Sequence, residues 1–95
     1  RVRQSGGYFL TVSDQEILQA IPMLGKAGLF VEPAAAAAFA GLQAAIRQGL
    51  HQPDAPALVL CTGSGLKDVN AAMRAVEPAP IIEPTLKQLK EALHV

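Results

Sequence analysis

The chain has 95 residues, 51% of them apolar and 17% charged, with eight Lys/Arg balanced by eight Asp/Glu. That composition excludes intrinsic disorder, which needs low hydrophobicity and high net charge, and a neutral chain offers no basic surface to nucleic acid or anionic lipid. Its longest apolar stretch, around Pro33 to Leu42, is too short and too alanine-rich to span a bilayer, and its single cysteine excludes a disulfide framework or a multi-cysteine zinc site.

In chain order, Gly6-Gly7 reads as a turn and Tyr8–Val12, aromatic and β-branched, as a strand. Ser13 follows as a helix N-cap. Glu16, three residues on, completes a capping box, and Asp14 and Glu16 both suit the positive helix start. Ile17, Ile21 and Leu24 lie at i, i+4 and i+7, which directs one stripe to a core, and Gly28 is the expected stop. Pro22 inside this helix removes a backbone hydrogen bond and predicts a kink or a broken turn.

Leu29-Phe30-Val31 is a short apolar run. Glu32-Pro33 then opens a second helix, running through Ala34–Ala38, Phe39, Leu42 and Ile46 to a stop near Gly49. This helix is apolar nearly all round as far as Gln43, so it is expected to be buried. Its alanines let another backbone or a ligand approach closely.

After a polar loop, His51 to Pro56, the run Ala57–Cys61 has no alternation and reads as a strand buried on both faces, as in a parallel sheet. Thr62-Gly63-Ser64-Gly65 is a tight loop at its C-terminal end. Asp68 can cap a short helix carrying Ala71, Ala72, Met73 and Val76, which Glu77-Pro78-Ala79-Pro80 breaks. Ile81-Ile82, flanked by prolines, suits an edge strand. Thr85 to Leu93 predicts a final helix, with Thr85 and Gln88 as a second capping box and Leu86, Leu89 and Leu93 as its apolar stripe. Strands alternating with helices argue for the α/β class, here a piece of a three-layer α/β/α domain with a mainly parallel sheet.

The Thr62–Gly65 loop is the leading site candidate. In open α/β sheets ligands bind at the C-terminal strand ends, two glycines allow close backbone approach, and two hydroxyls can donate or accept. It is neither a dinucleotide fingerprint nor a phosphate-binding loop, and an ordinary strand-to-helix turn has the same composition. Cys61, in an apolar strand with no cation beside it, reads as a buried, inert thiol. His51 and His94 read as solvated, and no ligand set for a metal is assembled.

Four stretches taken together resemble the C-terminal part of the threonine synthase family. They are Ser5-Gly6-Gly7, Val12 to Leu18, Gly28 to Ala34, and Leu60-Cys61-Thr62-Gly63-Ser64-Gly65-Leu66-Lys67-Asp68. These are pyridoxal-phosphate enzymes of the tryptophan-synthase-β-like, fold type II superfamily. The resemblance covers residues 1 to about 76, and residues 77–95 match only as a terminal strand and helix. It implies that Thr62 hydrogen-bonds the pyridine nitrogen of the cofactor, that Gly63 and Gly65 let the loop lie against the ring, and that Glu32 stands near it. Read without the family, Glu32 is a surface acid at a helix N-terminus. The family's Schiff-base lysine lies upstream, so no catalytic residue is assigned here, and Lys67 and Asp68 are given structural roles. Val69 stands where the family often has Pro.

The activity so implied is conversion of O-phosphohomoserine and water to threonine and phosphate. The expected setting is cytoplasmic, with a homodimer as the common assembly. Two alternatives stand beside it: a threonine or serine dehydratase or other β-replacement enzyme of the same superfamily, and a non-catalytic regulatory or interaction domain. Dehydratases tend to carry Ser-Gly-Gly-Asn at this loop, which favours the synthase. The chain opens on Arg1-Val2-Arg3-Gln4 without Met, and this reads as one C-terminal piece, residues 1–95, of a larger enzyme domain. Such a piece would be inactive alone and would pack on the rest of its own chain.

Overall fold

The structure, a computed structural model, describes residues 1–95. Its first helix, α1 (Asp14–Lys26), starts as the sequence dictates. The Ser13 side chain accepts from the Glu16 backbone N–H at 3.2 Å, and the Glu16 carboxylate accepts from the Ser13 backbone N–H at 2.8 Å. The helix ends in a Schellman turn, with Gly28 at φ +85° and the Leu29 N–H reaching the Leu24 carbonyl at 3.0 Å. Pro22 does not break it. The helix runs continuously to Lys26, because Ile21 and Leu24 are buried on the two sides of Pro22 and tertiary packing outweighs the one lost hydrogen bond.

The second helix, α2 (Pro33–Arg47), packs along α1. The core lies between them: Ala20, Ile21 and Leu24 meet Ala35, Ala36, Ala40 and Val31, with Ile17, Leu18, Phe39 and Cys61 at its margin. The facing alanines let the two backbones approach closely, and Ala20 and Ala36 are wholly inaccessible to solvent. The expectation that α2 is buried all round holds on one side only, since Ala34 and Ala38 are exposed. Arg47 at the end of α2 forms an ion pair with Glu16 at the start of α1.

The short helix α3 (Val69–Ala75) lies against α1 and is capped by Asp68, whose carboxylate accepts from the Ala71 N–H at 2.9 Å. The last helix, α4 (Leu86–Ala92), is shorter than expected and buries no residue. Its start carries only half of the expected box: the Thr85 hydroxyl accepts from the Gln88 N–H at 3.3 Å, without the reciprocal bond.

The three expected strands, Tyr8–Val12, Ala57–Cys61 and Ile81-Ile82, lie outside any sheet. The one β-bridge is antiparallel and joins Val31 to Ser64. Leu58 is 88% exposed and Ile81 fully so. The radius of gyration is 17.4 Å, against about 12–13 Å for a compact domain of this length. The chain is thus extended, with its apolar runs uncovered. His51, expected to be solvated, is half-buried, with Nε2 3.2 Å from the Ala55 carbonyl, and Cys61 is half-buried rather than fully so.

The capping box at the start of α1 sets a pH dependence. Hydrogen bonds from Ser13 to Glu16, backbone first, together with the nearby Arg47 guanidinium, hold the Glu16 carboxyl below its ordinary value of 4.5. The stabilisation is therefore present above the unfolded-state value and is lost as pH falls below 4.5 through the lowered folded value. Ser13→Ala is expected to cost about 1 kcal/mol at neutral pH, the usual worth of an N-cap. The difference from the parent should shrink on acidification, read as urea midpoints across that range.

Candidate functional site

The bridge that joins Val31 to Ser64 builds the site. The Glu32 N–H donates to the Gly63 carbonyl at 3.0 Å, and the Gly65 N–H donates to the Phe30 carbonyl at 3.1 Å. The loop after Ala57–Cys61 is thereby pinned to the residues that lead into α2. Gly63 and Gly65 are buried in this pairing. A Cβ added at Gly63 would collide with the Glu32 side chain, and one added at Gly65 with the Phe30 ring. The two glycines thus leave room for side chains of the same chain, a reason distinct from close approach to a ligand.

Glu32 is the residue before α2 but makes no capping hydrogen bond with its side chain. Its carboxylate instead lies over Gly63 and pairs with Lys67, Nζ to Oε1 3.6 Å. The Glu32 side chain is 20% exposed and that of Lys67 67%. Ser64 begins the turn Gly65–Lys67, its hydroxyl accepting from the Leu66 N–H at 3.3 Å. Thr62 stands just before this clamp. It is exposed, and its hydroxyl enters no hydrogen bond within the chain. Below it, Cys61 packs against the core with Sγ 3.9 Å from the Ala35 carbonyl.

The structure therefore brings together Glu32, Gly63 and Lys67, places Gly65 against Phe30, and leaves Thr62 at the edge of the cluster with its hydroxyl uncommitted. The sequence reading missed Phe30 as a partner of Gly65. The available signal was the alternation itself: bulky residues at 30 and 32 match glycines at 63 and 65, where a second strand must come close. A cavity of about 240 Å³ lies elsewhere, lined by Asp14, Ile17, Leu18, Pro33, Asp68 and Arg74. No helix is long and apolar enough to cross a membrane.

A neutral hydroxyl free to donate or accept, beside a carboxylate already satisfied by a lysine, is a donor set that fits the ring nitrogen of a pyridine-type cofactor. Residues 1–63 match the family described as pyridoxal-phosphate dependent enzyme, and the chain belongs to that family. The family's cofactor is pyridoxal phosphate.

Among curated relatives, the chain is 42% identical over 93 residues to the threonine synthase of Methanocaldococcus jannaschii, covering 97% of this chain and 23% of that protein. It is 42% identical over 83 residues to the threonine synthase of Mycobacterium tuberculosis strain H37Rv, covering 83% of this chain and 23% of that protein. It is 38% identical over 86 residues to that of Halalkalibacterium halodurans, covering 90% of this chain and 24% of the relative. The chain thus spans about a quarter of the length of the relatives it matches.

Proposed function

We propose that this chain is the C-terminal segment of a threonine synthase, and that the whole enzyme converts O-phosphohomoserine and water to threonine and phosphate. The observation that carries this reading is 42% identity over 97% of the chain to a protein of that name, a match that runs through the loop carrying Thr62. The proposed architecture is a three-layer α/β/α domain with a mainly parallel sheet, in which Tyr8–Val12 and Ala57–Cys61 pair with strands from the rest of the chain. Their exposed apolar side chains support it. A cytoplasmic homodimer completes the proposal.

Pyridoxal phosphate, when bound, supplies an electron-withdrawing ring. The residues of this segment hold one side of it. The Thr62 hydroxyl hydrogen-bonds the ring nitrogen without holding a proton there, as a carboxylate would. Gly63 and Gly65 keep the loop thin enough for Glu32 and Phe30 to lie across it, and Glu32 pairs with Lys67. Nothing in the segment attacks substrate, so it carries no catalysis alone.

The test is the product formed by the full chain. With O-phosphohomoserine it should release phosphate and threonine in equal amounts. Formation of a 2-oxo acid from threonine or serine, with no threonine from the phosphorylated substrate, would make it a dehydratase instead.

A further inference from the structure

The Lys67–Glu32 pair joins the start of α2 to the turn that follows the glycine loop. Glu32 sits at the start of α2, anchored by its own N–H on the Gly63 carbonyl. Lys67 closes the turn that follows the glycine loop. Between them the Glu32 carboxylate crosses Gly63, in space that any larger residue would fill. The loop is thus tied at three places: Glu32 N–H to Gly63, Gly65 N–H to Phe30, and Lys67 Nζ to Glu32 Oε1 at 3.6 Å. Thr62 is bonded directly to the first tied residue, so its backbone is held where the loop is tied.

The exposure of the pair decides what it is for. With the Lys67 side chain 67% exposed, the ion pair adds little to stability, since water screens it. A carboxylate that is only 20% exposed and not used as a helix cap still needs a fixed place. Left loose, it could swing off Gly63 and approach the Thr62 hydroxyl as a competing acceptor.

We propose that Lys67 is a positioning residue. By pairing with Glu32 it holds the carboxylate across Gly63, which keeps the Thr62 hydroxyl free and directed for the cofactor's ring nitrogen. The inference rests on the functional reading above and adds to it a residue that touches neither cofactor nor substrate.

The test compares Lys67→Met, Lys67→Arg, Thr62→Val and the double variant Lys67→Met/Thr62→Val in the full-length protein. Four quantities are read: the cofactor's absorbance spectrum, kcat and KM with O-phosphohomoserine, and the melting temperature. Lys67→Met should lower kcat about two- to fivefold, the span a partly exposed ion pair commands. KM and melting temperature should stay close to the parent, and the absorbance should shift in the same direction as in Thr62→Val. Lys67→Arg should restore both. In the Thr62→Val background Lys67→Met should add nothing, because the residue it acts through is gone.

If Thr62→Val lowers turnover and shifts the spectrum while Lys67→Met does neither, or if the two losses simply multiply, the positioning role is overturned and the functional reading stands. A loss in Lys67→Met that tracks a fall in melting temperature and is not rescued by Arg also overturns it. A Thr62→Val variant identical to the parent in kcat and spectrum removes the assignment of Thr62 to the ring nitrogen and this inference with it, while the reaction itself is decided by the products formed.

Discussion

Thr62→Val in the full-length enzyme is expected to reduce turnover of O-phosphohomoserine roughly five- to a hundredfold. The substitution keeps the β-branched shape at the end of Ala57–Cys61, so the backbone pairing of Gly63 and Gly65 with Glu32 and Phe30 is undisturbed. What it removes is the hydroxyl. A ring nitrogen left facing a methyl group, once the rest of the enzyme covers it, loses a hydrogen bond worth about 1–3 kcal/mol, and each 1.36 kcal/mol or so of that loss, felt in the transition state, is a factor of ten in rate. Thr62→Ser keeps the hydroxyl and should be mild. Thr62→Asp should be worse for this reaction than Val, because a carboxylate would hold the ring nitrogen protonated and change how strongly the ring draws electrons. Turnover and cofactor absorbance measured on the three variants separate these cases.

The second large effect is on stability. Ile21 is 5% exposed at the centre of the α1–α2 contact, against Ala35, Ala36 and Ala40. Ile21→Ala is expected to cost about 2–5 kcal/mol, the transfer free energy of the lost methyl and methylene groups plus the cavity left behind. Against a total stability of about 5–15 kcal/mol such a loss is severe. Equilibrium urea unfolding of the variant and the parent measures it, and a midpoint unchanged from the parent would show that α1 and α2 do not share this core.

The helices were legible because their signals are local. Ser13 with Glu16, Gly28, Asp68 and Thr85 each mark a boundary through hydrogen bonds within a few residues, Pro33 marks one by its fixed φ and missing N–H, and the structure places a helix end at each. Pro22 was the local signal that misled: its cost is set by sequence, but whether the helix yields depends on packing at Ile21 and Leu24, which sequence spacing alone does not weigh. The strands are a different matter. Ala57–Cys61 has the apolar run of a buried strand, but a strand is defined by partners, and this segment supplies only the single bridge from Val31 to Ser64.

The site was legible in its residue types and not in its geometry. Thr62, Gly63, Gly65 and Glu32 were all singled out, yet the reason for the glycines, the Glu32 and Phe30 side chains lying across them, requires two segments about thirty residues apart to be seen side by side. Lys67 was read as structural, and the ion pair with Glu32 gives that role a partner.

The most direct check on the central claim is a crystal structure of the full chain with pyridoxal phosphate bound, and within it one distance. Thr62 Oγ1 should lie about 2.6–3.2 Å from the pyridine nitrogen, the range of a hydrogen bond, with Gly63 still paired to Glu32. A pyridine nitrogen bonded to another side chain, with Thr62 turned toward solvent, would contradict the account.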